Sequence, residues 1–153
     1  MEISSDYEDL FKILNACKIR YLIAGAYAVI YYTEPRFTKD LDIWIIPGLN
    51  QAEKVYAALK KFGAPLRNIQ AKDFANKKWI YQIGVAPVRI DIMMDVPGAP
   101  FERAWKNRKK VRYGKTPVGI LGLRDLIQAK KKSARPQDLL DLEQLLKVSR
   151  RRD

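Results

Sequence analysis

Residues Tyr21 to Ile46, YLIAGAYAVIYYTEPRFTKDLDIWII, constrain this chain more tightly than any other stretch. Four apolar residues, Tyr21-Leu22-Ile23-Ala24, suit a short buried strand. Gly25 breaks the run, and Ala26 to Tyr32 reads as a short helix that Pro35 ends. Thr38-Lys39-Asp40 leads into a second strand, Leu41 to Ile46, closed by Pro47-Gly48. Side chains alternate along a strand, so Asp40 and Asp42 point to one side while Leu41, Ile43 and Ile45 point into a core. Two like charges on one strand face repel and need a partner. A divalent cation is the natural one, because Mg2+ takes oxygen ligands from carboxylates and substrate phosphates.

The rest of the chain reads as elements around this block. Ser5 or Asp6 can cap a first helix to about Ala16, with Tyr7, Leu10, Phe11 and Leu14 inward. Asn50 can cap a third helix, Ala52 to Phe62, with Val55, Leu59 and Phe62 inward, ended by Gly63-Ala64-Pro65. Residues 66 to 76 read as loop. Lys78 to Val85 and Val88 to Met94 read as a hairpin about Ala86-Pro87. On its second strand Arg89, Asp91 and Met93 share one face. Asp91 thus stands between core-pointing Ile90 and Ile92, as Asp42 stands between Leu41 and Ile43. Asp95 sits before Pro97-Gly98 and reads as a turn residue.

Phe101 to Arg108 allows one or two helical turns, and Lys109 to Tyr113 and Pro117 to Leu121 suit short strands. Gly114-Lys115-Thr116 is not a P-loop, because the first glycine of that motif would fall at Lys109. A fourth helix spans Leu123 to Lys132, with Leu123, Leu126 and Ile127 inward and Lys130 on its outer side. Pro136 opens a fifth, to about Val148, whose buried stripe is Leu139, Leu142, Leu145 and Leu146. Arg150-Arg151-Arg152 reads as a frayed basic tail.

Composition removes several chemistries. The chain has 153 residues, no histidine and one cysteine, Cys17. That excludes a Ser-His-Asp triad, a Cys-His dyad and a structural zinc centre, and leaves hard, oxygen-bound metals. No apolar run reaches the ~20 residues of a membrane span. The acidic N-terminus lacks a signal-peptide pattern and the lone cysteine suits a reducing compartment, so a cytoplasmic location is expected. The net charge is +12, of which residues 102–153 carry +10, with 16 Lys+Arg against 6 Asp+Glu. Such asymmetry suits a polyanionic partner or a plain solvated face.

The blocks, in order, are Gly25-Ala26-Tyr27-Ala28, Arg36-Phe37-Thr38-Lys39-Asp40-Leu41-Asp42, Asp91 on a later strand, Asp125-Leu126-Ile127-Gln128-Ala129-Lys130, and Arg135-Pro136-Gln137-Asp138. This order resembles the nucleotidyltransferase superfamily typified by DNA polymerase beta and the aminoglycoside nucleotidyltransferases. The closer resemblance is to the small bacterial branch that includes the AbiEii and MenT-type toxins. Ala26 departs from the pattern, where Gly or Ser is usual; it keeps the backbone N–H but brings no hydroxyl.

The resemblance implies an α/β (α+β) single domain over residues 1–153, a mixed β-sheet flanked by helices, with a core at 20–95 and a basic helical part at 102–153. It implies transfer of a nucleoside monophosphate from an NTP to a hydroxyl, with Mg2+ or Mn2+ on Asp40, Asp42 and Asp91. Gly25, Ala26, Arg36, Thr38, Lys130 and Asp138 would bind the nucleotide. RNA, above all a tRNA 3′ end, is the favoured acceptor, then a protein hydroxyl, then a small antibiotic. A toxin would also have an antitoxin partner. Among Tyr27, Tyr31, Tyr32, Phe37, Trp44 and Trp79, one is expected to stack on a base and most to be core. The alternative is a non-catalytic module of the same fold that binds nucleic acid or a protein.

Overall fold

The computed structural model describes residues 3–34, 40–46, 48–85 and 88–152. Six strands form one mixed sheet: β1 (Tyr21–Ala24), β2 (Asp40–Ile45), β3 (Ile80–Ile83), β4 (Arg89–Met93), β5 (Lys109–Tyr113) and β6 (Thr116–Ile120). Their spatial order is β3-β4-β2-β1-β6-β5. β1 and β2 pair antiparallel, while β2–β4 and β1–β6 are parallel. β3–β4 and β5–β6 are antiparallel hairpins. The helices are α1 (Ser5–Ala16), α2 (Gly25–Tyr32), α3 (Leu49–Phe62), α4 (Phe101–Lys106), α5 (Leu123–Ser133) and α6 (Pro136–Arg152).

Register decides which face each side chain takes. Tyr21 lies opposite Ile45, and Leu22 opposite Trp44. Tyr21 and Trp44 therefore stand on opposite faces of the sheet. Phe11 of α1 stacks on Tyr21 at 5.9 Å, and Phe101 of α4 meets Trp44 edge to face at 5.1 Å. α1 thus packs on one face and α4 on the other. The inward row of β2, Leu41, Ile43 and Ile45, is buried to within 1% of full exclusion, which pins the strand's rotation.

Several boundaries differ from the sequence expectation, each for a local reason. Ser4, not Ser5 or Asp6, caps α1; it lies in the extended region and its Oγ accepts the Tyr7 N–H at 3.4 Å. Asn50 lies inside α3, which starts after Gly48 without a side-chain cap. Gly63 ends α3 as expected, at φ +93°, giving its N–H to the Leu59 and Lys60 carbonyls. The 66–76 stretch contains a 3-10 turn, Ala71–Ala75, that seats Phe74 in the core. The hairpin strands are shorter than expected, and Ala86 and Pro87 lie outside the described residues.

In α6, Leu145 is fully buried and Leu142 and Leu146 half-buried, but Leu139 is 52% exposed. The first turn of α6 turns Asp138 inward instead, and Leu139 follows it round to solvent. Arg150 and Arg151 belong to α6, so the basic end is helical and not a frayed tail. No helix among the described residues is long and apolar enough to cross a membrane.

The contrast along α6 is testable by urea unfolding. Leu145→Ala is expected to lower stability by about 2–5 kcal/mol, whereas Leu139→Ala should change it by less than about 0.5 kcal/mol.

Candidate active site

Chain direction brings the carboxylates together. The parallel pairing of β2 and β4 sets Asp42 opposite Asp91 and Asp40 opposite Arg89. Asp40 and Asp42 already share a face, so Asp91 joins them by register. One oxygen from each of the three carboxylates lies within 4.8 Å of the others. That is close enough for one cation to be shared. Asp91 is buried, and Asp40 and Asp42 are half-buried.

Asp42 is the most strained member electrostatically. Its Oδ1 is buried without a hydrogen-bond partner among the described residues. Its pKa is pushed up to about 7, first by burial, then by the charges of Asp40 and Asp91 and a hydrogen bond with Asp40; the Lys130 charge opposes this. An orphaned buried carboxylate oxygen beside two further carboxylates fits a hard divalent cation.

Gly25 explains how the helix approaches so closely. Asp42 lies opposite Ala24, the last residue of β1. The chain then turns through Gly25 at φ +62°, in the left-handed region. A Cβ on Gly25 would overlap the Asp42 carboxylate. Glycine is thus required twice, for its torsion and for its missing side chain. Ala24 offers α2 no side-chain cap, and the positive end of this helix starts against the acidic cluster. Ala26, half-buried, is the next residue of that first turn.

Lys130 is not on the outer side of α5. Its ammonium lies 3.1 Å from Asp138 Oδ1 and 3.1 Å from Asp141 Oδ2, with its side chain 12% exposed. Asp138 also accepts from Arg135, at 2.9 Å from Nε and 3.2 Å from the backbone N–H. Burial would raise the Asp138 pKa, but the Arg135 and Lys130 hydrogen bonds outweigh it and hold the carboxyl below the usual carboxylate range. α5 and α6 are therefore clamped by a lysine between two buried carboxylates.

Asp141 was not among the expected residues. Its spacing of three from Asp138 on a helix was the available signal. Arg89, which alternation puts on the Asp91 face, is a further residue of the site. The carboxylates do have a basic neighbour: Arg89 grips Asp91 through Nε at 3.0 Å and Nη2 at 2.9 Å.

Arg36, Thr38 and Phe37 lie outside the described residues. Trp44 is core, against Phe101. Trp79 packs on Phe74 and Tyr81. Tyr32 is buried and donates its hydroxyl to the Leu121 carbonyl. Tyr31 is 40% exposed. Tyr27 meets Tyr7 edge to face at 5.7 Å; burial raises its hydroxyl's pKa, and the nearby Asp40 charge adds to this. Asp95 is exposed beyond β4. The Gly114-Lys115 turn is tied to α1 by Glu8, which accepts from the Lys115 N–H and the Thr116 hydroxyl.

No family model matches the chain, and no curated protein matches it. Solved structures do. The lincosamide antibiotic adenylyltransferase LnuA, in its lincomycin-bound crystal structure, superposes with a TM-score of 0.62 at 14% identity, covering 97% of this chain and 99% of that one. The antibiotic-resistance factor ANT(2'')-Ia gives 0.65 at 12% identity, covering 92% and 80%. An antigenic nucleotidyltransferase-like protein from Paracoccidioides brasiliensis gives 0.59 at 14% identity, covering 95% and 77%. This chain therefore shares the nucleotidyltransferase fold with these structures over nearly its whole length, with six strands in one mixed sheet and six α-helices among its described residues.

Folded Asp42 holds its proton to about pH 7, whereas an unfolded aspartate loses it near pH 4. The folded state thus binds more protons between these values, and metal-free stability falls as pH rises from about 4 to about 7.5. Asp42→Asn should remove that loss, becoming more stable than wild type at pH 8 by on the order of 4 kcal/mol, with the gap closing near pH 4. Urea titrations in a chelator across this range check it. Lys130→Ala should remove the ammonium shared by two buried carboxylates, leaving Asp138 to Arg135 and Asp141 to Gln137, and lower stability by up to about 3–5 kcal/mol, measured in the same way. Lys130→Arg, which keeps the charge, should lose less.

Proposed function

We propose that this protein is a Mg2+- or Mn2+-dependent nucleotidyltransferase that moves a nucleoside monophosphate from an NTP to a hydroxyl. The observation that carries the reading is the convergence of Asp40, Asp42 and Asp91 beside the Gly25 turn, with one Asp42 oxygen buried and unpaired among the described residues. Asp40, Asp42 and Asp91 would hold the cation. When bound, it would lower the pKa of the acceptor hydroxyl and neutralise charge on the leaving pyrophosphate.

The chain's own residues have these parts. The hydroxyl oxygen bonds to the α-phosphorus as the bond from that phosphorus to the bridging oxygen breaks, and pyrophosphate leaves. Asp91 takes the hydroxyl's proton. The N–H groups of Gly25 and Ala26, at the start of α2, receive phosphate oxygens. Arg36 and Thr38, just before Asp40 in sequence, would bind phosphate as the resemblance implies. Lys130 balances triphosphate charge from a position set by Asp138 and Asp141.

RNA, above all a tRNA 3′ end, is the acceptor this reading favours, because residues 102–153 carry +10 of the net +12 charge and Lys106, Lys109 and Lys110 are exposed. By its resemblance to AbiEii and MenT-type proteins, such an enzyme would be a toxin held by an antitoxin, and with a single cysteine it would act in the cytoplasm. A second reading, a small antibiotic acceptor, is favoured by the fold shared with LnuA and ANT(2'')-Ia.

The test incubates the protein with each α-labelled NTP, Mg2+, and in turn total RNA, total protein, lincomycin and an aminoglycoside. Label is expected in RNA with one or more NTPs, and Asp42→Asn should lower the rate at least about 10²-fold. Label in lincomycin or the aminoglycoside would move the acceptor to the second reading. No labelled pool under any NTP would overturn the activity.

A further inference from the structure

The three clustered carboxylates are partly neutralised from their own sheet. Arg89 precedes Asp91 by two on β4, so both side chains lie on one face. Both Asp91 oxygens are taken, at 3.0 and 2.9 Å, in a two-pronged pair. Arg89 also stands opposite Asp40 in the β2–β4 register. The pair is asymmetric in burial: the Arg89 side chain is 37% exposed and that of Asp91 10%. Asp91 is fixed, and the guanidinium is the partner with room to move.

Lys130, which also acts on Asp42, does not have that freedom. Lys130 is enclosed between Asp138 and Asp141 and serves the α5–α6 contact. A cation arriving at the carboxylates must therefore compete with Arg89 for Asp91. A guanidinium fork fits phosphate oxygens as well as carboxylate oxygens.

We infer that Arg89 is an exchangeable counterion: it neutralises Asp91 before a divalent cation binds, surrenders Asp91 to that cation, and transfers its fork to the triphosphate. The inference rests on the nucleotidyltransferase reading and adds a phosphate-binding residue to it. Its consequence is linkage. Arg89 opposes the cation alone and favours the cation together with triphosphate, so the two ligands bind cooperatively.

The experiment uses Mn2+ alone, followed by the spin-resonance signal of free Mn2+, and inorganic tripolyphosphate with Mg2+, followed by calorimetry. Tripolyphosphate avoids any choice of base. Arg89→Gln should bind Mn2+ alone at least about fivefold more tightly than wild type and tripolyphosphate about tenfold more weakly. Arg89→Lys keeps the charge without the fork; it should tighten Mn2+ by about twofold to threefold and hold tripolyphosphate within about threefold of wild type. A merely structural arginine would move both affinities in the same direction, so Mn2+ binding that is unchanged or weaker in both variants overturns the exchange. Tripolyphosphate binding that is unaffected in Arg89→Gln overturns the phosphate role. If wild type and both variants bind neither probe, the nucleotidyltransferase reading falls with it. If all three bind both probes equally, only the exchange falls. The Lys variant preserves the ion pair's charge, so it keeps the test open should Arg89→Gln fold poorly.

Discussion

Three aspartates held within 4.8 Å of one another is the arrangement on which the rest of the site depends. Left to themselves, such charges separate. Here they do not, because each belongs to a strand whose opposite face is locked in the core. Leu41, Ile43 and Ile45 bury one face of β2, and Ile90 and Ile92 bury one face of β4. Rotating either strand to relieve the repulsion would expose its isoleucines, at ~1.5–3 kcal/mol per side chain. Apolar packing therefore sustains the electrostatic tension, and Asp42 registers it by keeping its proton to about pH 7.

The same tension orders the surroundings. Gly25 leaves no atom between Asp42 and the start of α2, so the helix brings its positive end to the carboxylates. Farther out, the Lys130 clamp couples the site to α5 and α6. Its ammonium lowers the cost of ionising Asp42 while closing the helix pair through Asp138 and Asp141. One buried lysine thus serves packing and electrostatics together, and the C-terminal helices are part of the site rather than an appendage.

Charge in the last third is less uniform in role than its sum suggests. Arg103 binds Asp125 and the Gly98 carbonyl, linking α4 to α5. Arg108 lies 3.8 Å over the Trp105 ring. Lys130 and Arg135 bind Asp138. These cations stabilise the fold locally. Lys109 and Lys110 lie exposed on β5, an edge strand, where lysine also discourages pairing with another chain. The case for a polyanionic partner rests on the exposed cations, not on the total.

Local sequence sufficed for several features. Alternation on β2 put Asp40 and Asp42 on one face, and alternation on β4 put Asp91 between isoleucines. Gly25 marked the turn, and heptad-like spacing marked the helices, because strand and helix periods are properties of consecutive residues. Those rules also placed Leu139 inward and Lys130 outward, and both were wrong. Which side of a helix is inside depends on what packs on it, and here the α5–α6 pairing turned the Lys130, Asp138 and Asp141 side inward. The convergence of Asp91 with Asp42 required the parallel register of β2 and β4, across 49 residues of chain. The grip of Arg89 on Asp91 needed the rotamers that this register selects. Sequence by itself determined the residues and their local direction; only the tertiary structure decided which charges meet, because register and helix docking are set by long-range apolar packing.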